Sequence, residues 1–138
     1  ALADPCGPDV TLADPLAAVP PLAGVVTDTH FAERDRQGRL VAIMAKAWTQ
    51  GGGPRVGLGV DEGTGVLVGG DGVATVFGPG EAWWFAADAP PDVCAAGSPL
   101  TWNGLRVVRL SAGGTTTLPA GPAGGAPLSV DAGNISGL

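Results

Sequence analysis

Only one stretch of this chain carries the pattern of a long helix, and it is closed off sharply. Leu40, Ile43, Met44 and Ala47 recur at the spacings that place residues on one helical face. Phe31 and Trp48 extend that apolar stripe, so a helix is predicted from Ala32 to Trp48. Gly38 lies inside it at a cost of about 1 kcal/mol relative to alanine, which leaves a start near Arg39 as the alternative. The run Gln50-Gly51-Gly52-Gly53-Pro54 ends it. With 24 glycines and 13 prolines among 138 residues, the remainder has to be mostly strand and turn. One helix cannot cover both faces of a parallel sheet, so an α/β fold would need cover from another part of the protein.

Strand candidates stand on either side of the helix. Gly24–Asp28 (GVVTD) is predicted as a short strand. Asp28 and Thr29 end its apolar run with two good helix-capping residues. Val56–Val60 (VGLGV) reads as a buried strand. Gly65–Val68 and Val73–Val76 flank the turn sequence GGDG and read as a hairpin or as adjacent strands. Ala82–Ala86 (AWWFA) and Leu105–Ser111 (LRVVRLS) follow, then the weaker Thr115–Leu118. Trp83, Trp84 and Phe85 are read as core or interface. We expect an extended lead-in over residues 1–21, a core over 22–118 and a loose glycine-rich tail over 119–138. Within the tail, Leu128–Val130 is a candidate edge strand.

The charge balance excludes some functions. Seven basic against thirteen acidic residues give a net charge of −6, the opposite of the basic field that nucleic acid requires. Lys46 is the only lysine, so positive charge comes mainly from arginine, the better partner for planar carboxylates. No apolar run has the length of a membrane span. Cys6 and Cys94 either form one disulfide or remain free thiols, and the sequence does not fix their distance. A disulfide would favour a secreted or periplasmic setting, and free thiols the cytoplasm. No Cys/His spacing suggests zinc, and no cofactor or metal is expected. The chain opens at Ala1 rather than Met, as expected of a processed or cleaved form.

The candidate chemistry gathers around the only histidine. His30 follows the first predicted strand at the mouth of the helix, where an α/β fold exposes side chains for chemistry. It is the candidate general base; the competing reading is a capping or partly buried structural histidine. Glu62 follows the strand VGLGV and is the candidate to orient the imidazole. If these two strands are parallel neighbours, their ends lie on one sheet edge and His30 meets Glu62. Asp61 and Glu62 could equally be turn residues, with Asp61 bracing the loop. Arg34, Arg36 and Arg39 are candidates to hold an acidic substrate through paired hydrogen bonds. The alternative is that they form structural salt bridges with Glu33, Asp35 or more distant acids. No serine or cysteine has the local sequence of a nucleophile elbow.

Two separated motifs resemble those of the cyanophycinase-like serine peptidases. That family carries a segment close to D-Q-H-F-x-x-R-x-R-x-x-R-L and then a strand ending in G-I-D-E-x-T-A. Here Asp28–Leu40 reads D-T-H-F-A-E-R-D-R-Q-G-R-L and Gly59–Gly65 reads G-V-D-E-G-T-G. The resemblance implies the C-terminal part of a three-layer α/β fold, flavodoxin-like or class I glutamine-amidotransferase-like, completed by a separate N-terminal chain. It implies a Ser-His-Glu peptidase with His30 and Glu62 as catalytic residues. Asp28, Thr29, Arg34, Arg36 and Arg39 would shape the site or bind substrate. Family members cleave at aspartyl groups, so an acidic, aspartyl or isoaspartyl, peptide substrate is expected.

The sequence departs from the family pattern in two places. Thr29 stands where cyanophycinases carry a substrate-contacting glutamine, so the resemblance supports the hydrolytic pair more than that one substrate. The G-x-S-A-G nucleophile elbow of the family's first half is absent from these 138 residues. The serine is therefore expected on a partner chain, the N-terminal chain of the same precursor, with autocleavage and further oligomerisation left open. The alternatives are a non-catalytic homologue acting as a protein-binding or structural domain, and a secreted β-rich binding domain with one disulfide.

Overall fold

The computed structural model describes residues 1–12, 19–51 and 56–138. Among the described residues the fold is mixed α/β, built on a six-stranded mixed sheet with one long helix. The first strand, β1 (Val25–Thr29), leads through the helix α1 (Gln37–Gly51) to β2 (Val56–Val60). A hairpin of β3 (Gly65–Val68) and β4 (Val73–Phe77) follows. Then come β5 (Ala82–Ala87), β6 (Trp102–Leu110), β7 (Thr115–Thr117), β8 (Ala126–Asp131) and β9 (Asn134–Ser136). The large sheet has the order β1-β2-β5-β6-β8-β9, and β3, β4 and β7 form a second, three-stranded sheet. β1 and β2 are parallel, joined by the crossover through α1, and every other pairing among the described residues is antiparallel.

The period of two along each strand sorts the core into two layers. Trp83, Phe85 and Ala87 of β5 face one side, where Leu40, Val41, Met44 and Ala45 of α1 pack with Phe31, Trp102 and Leu105. Ala82 and Trp84 face the other side and pack with Leu58, Ala74, Val76 and Leu118 beneath the three-stranded sheet. The aromatic run of β5 is therefore core on both faces. Phe31 meets Trp83 and Phe85 at ring-centroid distances of 5.8 and 5.7 Å. These tilted and edge-on contacts suit the ring quadrupoles.

The start of the chain is pinned against this core. Cys6 and Cys94 form a disulfide with their Cα atoms 5.7 Å apart, which settles the open alternative. Lys46 is buried and donates to the backbone carbonyls of Gly7, at 2.7 Å, and Val10. The Leu100 amide donates to the Leu2 carbonyl at 2.9 Å. Residues 1–10 run in successive turns rather than extended, while 13–18 of the lead-in lie outside the described residues.

Further expectations need correction. The helix begins at Gln37, between the two predicted starts, because Phe31–Asp35 form turns and Asp35 takes a left-handed φ of 48°. Gly38 is tolerated inside it because its bare face receives Leu2. The helix ends at Gly51, and the Gly52, Gly53 and Pro54 invoked as its stop lie outside the described residues. The tail is not loose, since it adds β8 against β6 and then β9. Leu128–Val130 belongs to an interior strand, and β9 takes the edge that was expected of it. Finally, β6 begins three residues earlier than predicted, at Trp102, and crosses a bulge between Trp102 and Leu105 where Gly104 takes a φ of 79°.

Candidate functional site

Parallel pairing of β1 and β2 decides the geometry of the candidate site. Thr29 is in register with Val60, so the residues that follow each strand emerge side by side at one end of the sheet. His30 Nδ1 lies 3.5 Å from Glu62 Oε2, with the two side chains 41% and 64% exposed. The two groups are close but not hydrogen-bonded; a shorter approach would hold a proton on Nδ1 and leave Nε2, the other ring nitrogen, as the proton acceptor. His30 itself has a φ of 49°, in the left-handed region that a residue with a side chain rarely occupies. Its imidazole is presented by a tight turn rather than by continuation of the strand.

That turn leads straight into the core. The Phe31 amide donates to the Val60 carbonyl at 3.2 Å, and the Phe31 ring is fully buried. The ring occupies the space over Gly59, where a Cβ would come closer than 3.0 Å to three ring carbons. The glycine of VGLGV nearest the site is thus required by close approach and not by backbone conformation.

Asp28 organises the arginines. Its side chain is 6% exposed and receives Arg36 Nη1 at 3.1 Å, Arg39 Nε at 2.8 Å, Arg39 Nη2, and its neighbour's Thr29 amide at 2.8 Å. Burial pushes the Asp28 carboxyl up, but the hydrogen bonds from Arg39 and Thr29, with the charges of Arg39 and Arg36, outweigh it and hold it below its ordinary value. Arg36 also donates to the Thr29 carbonyl, fixing the last residue before His30. Two of the three candidate substrate arginines are therefore engaged inside the chain. Arg34 is exposed and makes no ion pair among the described residues.

Asp61 braces the loop after β2. It accepts from the Ala32 amide at 3.1 Å, the Glu81 amide at 3.0 Å and Trp83 Nε1 at 3.4 Å. Trp83 in turn lies 4.8 Å under the guanidinium of Arg109, which also pairs with Glu81 at 3.7 Å. Glu33 is not the arginine partner that the sequence offered: Arg36 and Arg39 go to Asp28, and the Glu33 Oε1 accepts from the Glu62 amide at 3.0 Å, a role that sequence reasoning missed. A lone exposed glutamate in a charged turn gives no sequence signal when its partner is a backbone group on another loop.

Among the described residues no serine, threonine or cysteine side chain hydrogen-bonds to His30. Cys6 and Cys94 are joined to each other. Ser129 and Ser136 share a hydrogen bond of 3.0 Å on β8 and β9, at the far side of the sheet from β1. A cleft of about 400 Å³, lined by Gly24, Val56, Ala87, Asp88, Arg106 and Pro119, lies at the opposite end of β1 and β2 from His30. Among the described residues no group of three or more His, Cys, Asp or Glu side chains is arranged to hold a metal ion, and no helix is long and apolar enough to cross a membrane. Compared with sequence models of known protein families the chain matches none, and it matches no curated protein.

Proposed function

We propose that this chain is the base-and-acid portion of a cyanophycinase-like serine hydrolase, acting on aspartyl or isoaspartyl peptide bonds. In this reading it is the C-terminal part of a flavodoxin-like, class I glutamine-amidotransferase-like domain. A partner chain brings the serine. The observation that carries the reading is the approach of His30 Nδ1 to Glu62 Oε2 at adjacent parallel strand ends. The position of β1 at the end of the sheet order is compatible with a partner extending the sheet from that side.

The chemistry is acyl transfer in two halves. His30 Nε2 takes the serine proton as the serine oxygen adds to the substrate carbonyl, and Glu62 stabilises the imidazolium. The tetrahedral intermediate collapses, the C–N bond breaks, and His30 returns the proton to the leaving amine. Water then repeats the sequence on the acyl-serine, giving the free acid and regenerating the enzyme. Approaches of this length in an uncomplexed site commonly shorten once substrate is bound.

The test is reconstitution with a chain carrying G-x-S-A-G, assayed on a β-aspartyl dipeptide. The expected result is hydrolysis by the pair, none by either chain alone, and loss of activity in His30→Ala with unchanged assembly. Hydrolysis that survives His30→Ala would instead assign this chain to the non-catalytic alternative.

A further inference from the structure

The left-handed φ of His30 requires an explanation. A strained backbone conformation persists only where its surroundings over-determine it, and such positions concentrate at functional sites. Upstream, the turn is held by Asp28 and by Arg36 on the Thr29 carbonyl. Downstream, two further hydrogen bonds cross between the His30 loop and the Glu62 loop in opposite directions. Asp61, on the second loop, takes the Ala32 amide of the first. Glu33, on the first loop, takes the Glu62 amide of the second. Each loop thus offers a carboxylate to a backbone N–H of the other, and His30 and Glu62 lie within this reciprocal clasp.

The two halves of the clasp differ in setting. Asp61 is 9% exposed and bonds three donors, including the Glu81 amide and the Trp83 indole, so it also fixes both loops to the start of β5. Glu33 is exposed, and its bond to the Glu62 amide is its one hydrogen bond among the described residues. Because Glu33 and Asp61 hold the loops, the Glu62 carboxylate is left to face His30.

We infer that Asp61 and Glu33 are positioning residues, which hold the strained His30 turn and the Glu62 loop in the one arrangement that brings imidazole and carboxylate together. Their importance to catalysis rests on the hydrolase reading above, whereas the clasp itself is a property of this chain.

The experiment is NMR on the 138-residue chain without partner or substrate, comparing the parent with Glu33→Ala, Glu33→Gln and Asp61→Asn. His30 is the only imidazole, so its ring signals assign themselves. In Glu33→Ala, hydrogen exchange at the Glu62 amide should rise on the order of tenfold, as expected for loss of one charge-assisted hydrogen bond. The cross-relaxation between the His30 ring and the Glu62 side chain should vanish, while the methyl signals of the core stay in place. Glu33→Gln keeps an acceptor oxygen and should restore both readings. Asp61→Asn should accelerate exchange at the Ala32 or Glu81 amide; should it not fold, the Glu33 pair carries the test. Unchanged His30–Glu62 contacts in Glu33→Ala overturn the inference, as does equal loss in Glu33→Ala and Glu33→Gln. Neither result depends on hydrolysis, so failure of the clasp and failure of the hydrolase reading are read separately.

Discussion

The Phe31 ring fills the space over Gly59 that any other residue would claim for its side chain. His30 immediately precedes Phe31, so the seating of this ring sets where the imidazole emerges. Gly59→Ala should displace Phe31 from its contacts with Trp83 and Phe85. The expected cost is about 2–3 kcal/mol, as for overpacking a close-packed core, seen as a lower denaturant midpoint at unchanged slope. A Gly59→Ala protein as stable as the parent would mean that the ring is not held there.

At His30 the backbone and the side chain make opposite demands. Replacement by alanine removes a half-exposed imidazole but keeps the left-handed strain. Glycine relieves that strain, so His30→Gly should be about 1 kcal/mol more stable than His30→Ala. Thermal unfolding of the two variants measures the difference, and equal stabilities would contradict the left-handed φ.

Asp28 predicts an acid-labile link. Its carboxyl titrates below the ordinary value of 3.8 when folded, so its contribution is fully present above that value and is lost as pH falls through the lower, folded one. Asp28→Asn should lower stability at neutral pH by about 3 kcal/mol, because two guanidinium groups lose the carboxylate between them. The variant should also lose less further stability than the parent between pH ~6 and ~2, read from urea midpoints across that range. Parallel pH profiles would remove Asp28 as a source of acid sensitivity.

The Cys6–Cys94 disulfide closes a separation of 88 residues. On chain-entropy grounds its removal in a Cys6→Ser/Cys94→Ser protein should cost about 4–5 kcal/mol. The same link holds the turn segment whose carbonyls receive Lys46, so the Gly7 and Val10 region should become protease-sensitive on reduction. Unchanged stability in reductant would show that the segment is held by its other contacts alone.

Local signals carried much of this fold. The bounds of β2 and the β3–β4 hairpin follow from glycine-punctuated apolar runs, and the meeting of His30 with Glu62 follows from reading their strands as parallel neighbours. What stayed illegible depended on distant partners. The start of α1 is set by the turns over Phe31–Asp35, held by Arg36 on Asp28 and by the Phe31 ring over Gly59, neither of which leaves a mark in helical periodicity. The tail becomes sheet only because β6 offers it an edge. The motif makes Asp28 a candidate to shape the site, but its identity as the receptor for two arginines requires the fold. Glu33 carries no signal at all, because it recognises an amide and not a side chain.

The crossover from β1 through α1 to β2 has a consequence for inheritance. His30, Glu62, Asp28, both of its arginines and both clasp carboxylates come from one uninterrupted passage of chain that begins and ends on neighbouring strands. What the passage cannot carry by itself is its seat: the start of β5 receives Asp61 through the Glu81 amide and the Trp83 indole, and receives Phe31 on Trp83 and Phe85, so the passage and β5 have to be inherited together.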